Sequence, residues 1–118
     1  MRHAVGKRLL AELPYLSPEH VDPERPVDDL SDQYCLGAVV YAMLAGRPPC
    51  EGESPEETVH KVNTVRPLRP REECPGLPDA FQAVVLRTLA KPPEDRYPGP
   101  GPLIADLDAV AAEFEEEG

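Results

Sequence analysis

The sequence predicts an all-α protein, and three observations carry that expectation. The eleven residues Cys35-Leu36-Gly37-Ala38-Val39-Val40-Tyr41-Ala42-Met43-Leu44-Ala45 contain no charge, and Leu36, Val39, Val40, Met43 and Leu44 recur at helical spacing. Two later stretches keep the same period. Phe81, Val84, Val85, Thr88 and Leu89 fall at i, i+3, i+4, i+7 and i+8, while Leu103, Ile104, Leu107, Val110, Ala111 and Phe114 share one face. No segment alternates apolar and polar residues as a half-buried strand does. The expected architecture is about four helices and one short turn, packed around a single buried central helix and joined by long proline-rich loops.

Taken in order, Met1 to Leu10 combines Arg2, Lys7 and Arg8 with weak periodicity and reads as an extended segment. Ser17 followed by Pro18 has the form of an N-cap with proline at the first helical position, so one short helical turn is expected before Pro23. Asp28, Asp29, Ser31 and Asp32 then lead into the central helix, where acidic residues suit the positive end of the helix dipole. Gly46 followed by Pro48 and Pro49 suits its end. The other side of this helix carries Cys35, Ala38, Tyr41, Ala42 and Ala45, so it is apolar all round, the mark of a buried helix. At eleven residues it is too short to cross a bilayer, which takes about 20.

Ser54-Pro55-Glu56-Glu57 carries the serine, N1 proline and N3 glutamate of a capping box. The helix it opens, to about Asn63, has only Val59 and Val62 as clear apolar positions and should lie at the surface. Arg66 to Pro78 is proline-rich and is expected to be irregular. Asp79 opens the next helix, which Pro92-Pro93 stops. After Glu94-Asp95-Arg96-Tyr97 and the proline-locked turn Pro98-Gly99-Pro100-Gly101-Pro102 comes the last helix.

Composition narrows the function classes. A length of 118 residues gives one domain or part of one. A net charge of −10 argues against nucleic acid. The one basic patch, Arg66, Arg69 and Arg71, lies in the proline-rich loop. Glu113, Glu115, Glu116 and Glu117 form an acidic, solvated tail over 113–118. Three cysteines, at 35, 50 and 74, with no CxxC spacing, suggest neither a zinc site nor a disulfide framework, and Cys35 reads as a small core residue. His3, His20 and His60 form no ligand pattern, so no metal is expected. No signal peptide or membrane span is recognisable, which points to the cytoplasm.

Three motifs carry a resemblance. Tyr15-Leu16-Ser17-Pro18-Glu19 resembles the motif closing the activation segment of protein kinases. Ser31-Asp32-Gln33-Tyr34-Cys35-Leu36-Gly37, with Tyr41, Leu44 and Gly46-Arg47-Pro48-Pro49, resembles the kinase central helix. Leu89-Ala90-Lys91-Pro92-Pro93-Glu94-Asp95-Arg96-Tyr97 resembles the stretch near the end of the domain. In this order the chain resembles the lower C-lobe of a eukaryotic-type Ser/Thr protein kinase, in wording closest to bacterial members, with residues 1–112 as a partial catalytic domain.

That resemblance implies roles. Glu19 and Arg96 would form a buried bidentate ion pair, for which arginine's planar fork is suited. Asp32 would accept hydrogen bonds from the catalytic-loop backbone and anchor it. Ala11, Glu12, Leu13 and Pro14 would line the pocket beside the phosphoacceptor. The chain departs from the pattern here: the family has Gly-Thr where Ala11-Glu12 stand, and a glutamate would repel the catalytic aspartate that the threonine normally contacts. Cys50 stands where phenylalanine is usual, and Pro92 where aspartate is. Phosphoryl transfer also needs a Gly-rich loop, a strand lysine, a catalytic-loop aspartate and asparagine, and a DFG aspartate for magnesium, and none occurs in this sequence. No Ser, Thr or Tyr precedes Tyr15 as an activation-loop phosphoacceptor. The expectation is a kinase-domain piece without catalytic residues. ATP and Mg²⁺ would belong to a complete kinase only, and the partner would be the missing N-lobe and catalytic loop or another protein. The alternative is a kinase remnant serving as a protein-interaction module.

Overall fold

The computed structural model describes residues 13–117 except 23, 68 and 70–75, with side chains as far as residue 113. The expectations for the N-terminal segment, Ala11, Glu12, Phe114 and the acidic tail's side chains lie outside the described residues. Among the described residues five α-helices occur in order: α1 (Pro18–Val21), α2 (Asp29–Ala45), α3 (Pro55–Thr64), α4 (Asp79–Thr88) and α5 (Pro100–Glu117). Short 3-10 turns at Leu13–Tyr15 and Pro93–Asp95 flank α1 and precede α5. Among the described residues the regular structure is helical and no strand occurs.

The helix boundaries follow from caps. The α1 turn starts at Ser17, whose hydroxyl accepts from the His20 N–H at 3.2 Å. For α2 the cap is Asp28: its carboxylate accepts from the N–H groups of Leu30 and Ser31, while Ser31 Oγ accepts from the Asp28 N–H at 3.2 Å. This reciprocal box satisfies donors that have no partner inside the helix. It starts α2 six residues before the uncharged stretch, so the acidic lead-in is the helix's own first turn. Gly46 ends it at φ 79°, a left-handed conformation that glycine adopts without a Cβ clash, and its N–H donates to Ala42 O. At α3 only half of the expected box forms. Ser54 Oγ accepts from the Glu57 N–H at 3.1 Å, but the Glu57 carboxylate accepts from the Glu53 N–H at 3.2 Å instead of from Ser54. The proline-rich stretch before α5 partly belongs to the helix, since Pro100 and Pro102 occupy its first turn, where a missing N–H leaves no bond unmade.

The core corrects one expectation. Tyr34, Ala38 and Tyr41 on α2 pack against Val85 and Leu89, with Tyr15, Val40, Leu44 and Phe81 at the margin. A second cluster joins Val84, Tyr97 and Val110, with Leu103 beside them. The stripe through Leu36, Val39 and Met43 instead faces water, with 59%, 46% and 79% of each residue exposed. So α2 is not buried on all sides, and its inner face is the aromatic one. Cys35 is half-buried rather than core. On α5, Val110 is buried, whereas Ile104 and Leu107 are exposed. The helices α2 and α4 approach closely because position 37 has no side chain: a Cβ there would collide with the Thr88 hydroxyl and Cβ. The surface placement of α3 holds with one refinement, since Thr58 and Val62 turn inward.

Candidate functional site

Among the described residues the side-chain bonding is dense where α1, the first turn of α2 and the loop before α5 meet. Arg96 is 1% exposed and Glu19 is 3% exposed. Arg96 Nη1 donates to Glu19 Oε2 and Nη2 to Glu19 Oε1, each at 2.8 Å, which is the parallel fork geometry. The remaining arginine donors go to backbone carbonyls: Nε to Ala90 O at 2.7 Å, Nη1 to Leu30 O at 2.9 Å and Nη2 to Lys91 O at 3.2 Å. All five N–H groups of the guanidinium are therefore used. Beneath it lies the Tyr34 ring, its centroid 5.0 Å from Cζ, a cation–π arrangement.

The carboxylate is equally well served. Ser31 Oγ donates to Glu19 Oε2 at 2.7 Å, completing three charge-assisted bonds. Burial alone would raise the Glu19 pKa, but the hydrogen bonds from Arg96 and Ser31 and the arginine's charge outweigh it. They hold the group at about 2, well below its ordinary 4.5. One turn along α2, the Gln33 amide braces the residue after Arg96: Nε2 donates to Tyr97 O and Oε1 accepts from the Tyr97 N–H, both at 3.0 Å. Tyr97 Oη then donates to Asp106 Oδ2 on α5 at 2.8 Å, and Arg87 lies over its ring at 4.0 Å. Burial and the Asp106 carboxylate push the Tyr97 hydroxyl up to about 12.

This arrangement clamps chain segments; it does no bond chemistry. Ser17 Oγ lies 2.7 Å from His20 Nδ1, the spacing of a nucleophile and base. Yet Ser17 is fully buried and the pair is the capping box of α1, leaving no room for a substrate carbonyl. Among the described residues no group of His, Cys, Asp and Glu side chains could hold a metal ion, and no helix is long and apolar enough to cross a membrane.

Of the residues singled out from sequence, the structure brings Glu19 and Arg96 into contact. Asp32 is apart from them and exposed on α2, at the mouth of an open cleft of about 630 Å³ shared with Asp28, Asp29, Leu36 and Leu103. Leu13 and Pro14 form the 3-10 turn, Pro14 buried. Sequence reasoning missed Ser31 and Gln33 as members of the clamp. Ser31 had a signal, its position three residues after an N-cap aspartate. Gln33 had none beyond being a polar residue beside a core tyrosine.

Comparison with known proteins gives the clamp its setting. No family model matches the chain. It is 42% identical over 96 residues to the serine/threonine-protein kinase PknB of Mycobacterium tuberculosis, an alignment covering 81% of this chain and 15% of PknB. It is 41% identical over 101 residues to a probable serine/threonine-protein kinase of Corynebacterium efficiens, covering 82% and 15% of the two chains. To PknE of Mycobacterium tuberculosis it is 37% identical over 103 residues, covering 87% and 18%. The chain thus spans less than a fifth of the length of these relatives. In fold it is similar to the twitchin kinase region from C. elegans, with a TM-score of 0.65 and 23% identity, covering 71% of this chain and 15% of that one. By sequence and by fold, the chain belongs with the Ser/Thr protein kinases and corresponds to the C-terminal part of their catalytic domain.

Proposed function

We propose that these residues act as the structural base of a Ser/Thr kinase domain and carry no phosphoryl transfer by themselves. In this reading the Glu19–Arg96 clamp fixes the end of an activation segment to the helical base. Asp32 offers its exposed carboxylate to backbone N–H groups of a catalytic loop, and Leu13 and Pro14, with Ala11 and Glu12, border the phosphoacceptor pocket. ATP and Mg²⁺ would be held by residues outside this sequence, which lacks every group that phosphoryl transfer uses to hold them. The partner is the rest of a catalytic domain, and the setting is the cytoplasm of a bacterium-like cell.

One observation carries the reading: a helix whose first turn is locked by a fully bonded clamp leaves Leu36, Val39 and Met43 in water along its middle. A contiguous apolar stripe beside a finished polar anchor is a seat for another surface. The test is calorimetry of the 118-residue chain with ATP and Mg²⁺, paired with a thermal melt of the same sample. No nucleotide binding and a weak, broad melt are expected; a measurable nucleotide affinity overturns the proposal.

A second reading, a catalytically silent remnant that binds a protein partner, draws on Glu12 standing where the family has threonine. A firm, cooperative melt above about 65 °C, beyond the usual mesophile range, without nucleotide binding would favour it, because a fragment lacking its covering elements should not be stable alone.

A further inference from the structure

Cys50 occupies the place where the kinase pattern has phenylalanine, and it is 3% exposed. Its thiol donates to Val65 O at 3.4 Å. On its other side Lys91 Nζ lies 3.4 Å from the sulfur and 3.3 Å from Tyr34 Oη, with the Tyr34 ring centroid 5.5 Å away. No carboxylate touches this amine among its described contacts. The half-buried lysine faces a thiol, a phenol and a ring face, of which the ring face favours the ammonium form as a cation–π partner. Burial lowers its pKa, with the Arg96 charge acting in the same direction, although the Cys50 thiol opposes them. Tyr34 contributes no compensating anion, since burial pushes its hydroxyl up. In its unprotonated form the amine is a nucleophile, and among its described contacts the sulfur of Cys50, once oxidised, is the electrophile within reach.

We propose that Cys50 and Lys91 are an oxidative modification site, in which peroxide converts the contact into a covalent sulfur–nitrogen bond. Hydrogen peroxide first oxidises the thiol: an S–O bond forms as the O–O bond breaks, and one water leaves with the thiol proton. The Lys91 lone pair then attacks the sulfenic sulfur. The S–N bond forms, the S–O bond breaks, and the hydroxyl departs as a second water with one amine proton. The sulfur and nitrogen come from residues 41 positions apart, so the link ties the loop after α2 to the segment after α4. Two equivalents of a thiol reverse it, returning Cys50 and Lys91 and leaving a disulfide of the reductant.

The test uses the full chain with Cys35→Ser and Cys74→Ser, leaving Cys50 as the sole thiol. After treatment with hydrogen peroxide and digestion, the expected product is a linked peptide pair containing residues 50 and 91, lighter than the sum of the two by two hydrogen atoms and released by dithiothreitol. Lys91→Arg keeps a cation but removes the nucleophilic amine; in it the link should vanish and Cys50 sulfenic acid should be captured by a 1,3-diketone probe. The link should also fail to form in concentrated urea. Equal yields with and without urea, linkage to Lys61, a product retaining an oxygen, or oxidation of Cys50 that is the same in both variants would each overturn the proposal.

Discussion

The first turn of α2 and its middle differ in what they leave to solvent. Around Ser31 and Gln33 the buried polar side-chain atoms all have partners, and a charged pair lies dry with five donors and a carboxylate fully engaged. Only a few residues on, Leu36, Val39 and Met43 stand in water. Buried charge and open apolar surface follow different rules. An ion pair withdrawn from water costs several kcal/mol per ion unless its bonds are completed on the spot, so the clamp has to be finished within this stretch of chain. An apolar stripe costs far less to leave open and can be covered later by another surface. The polar region therefore fixes shape, and the apolar region records where something else fits.

The comparison breaks most sharply at Arg96. Arg96→Ala strands the Glu19 carboxylate and removes the donors to three carbonyls; a loss of roughly 3–5 kcal/mol is expected, read as a shift in the urea unfolding midpoint by circular dichroism. Loss below about 1 kcal/mol, the scale of a surface pair, would place the clamp on the surface in solution.

Acidification probes the same pair without a truncation. Glu19 titrates near 2 in the folded chain and near its ordinary 4.5 when unfolded. Between those values the unfolded chain binds the extra proton, so the stability contributed by this group is complete above pH 4.5 and falls as pH drops towards 2. Unfolding midpoints measured across this window should slope more steeply in the unaltered chain than in Glu19→Gln, and identical slopes would contradict the assignment.

Gly37→Ala tests the seam behind the clamp. The added Cβ meets the Thr88 hydroxyl and Cβ, and overpacking of this kind costs about 1–3 kcal/mol; the readout is the thermal midpoint. A neutral result would mean that α2 and α4 separate easily.

The smallest expected effect lies on the open stripe. Met43→Lys should change folding stability by less than about 0.5 kcal/mol while reducing concentration-dependent association seen by sedimentation. A large destabilisation would show that the stripe is covered within the chain itself.

Much of this molecule was legible from its residues. Helix ends were written in Ser17-Pro18, Gly46 and Ser54-Pro55, because capping is a local matter of which side chain can reach an unpaired N–H, whereas Asp28 was read only as part of an acidic lead-in and proved to be the N-cap. The partnership of Glu19 with Arg96 was implied by the resemblance of their motifs to those of protein kinases. Ser31 and Gln33 were not assigned to the clamp, because their partners lie 12 and 64 positions away and nothing in local spacing names such partners.

What the sequence by itself determined is the set of helices, several of their ends and the apolar character of α2. What only the tertiary structure decided is which side of α2 faces inward, and which distant groups meet. A helix with apolar residues on every side carries no phase in its periodicity, so spacing alone cannot choose between Leu36-Val39-Met43 and Tyr34-Ala38-Tyr41. The choice is made by shape and by bonds: Gly37 lets α4 approach on the aromatic side, and Tyr34 lies under the Arg96 guanidinium. The same packing places Lys91 against Cys50, a contact no local pattern announces because it depends on how far two separate loops are drawn together.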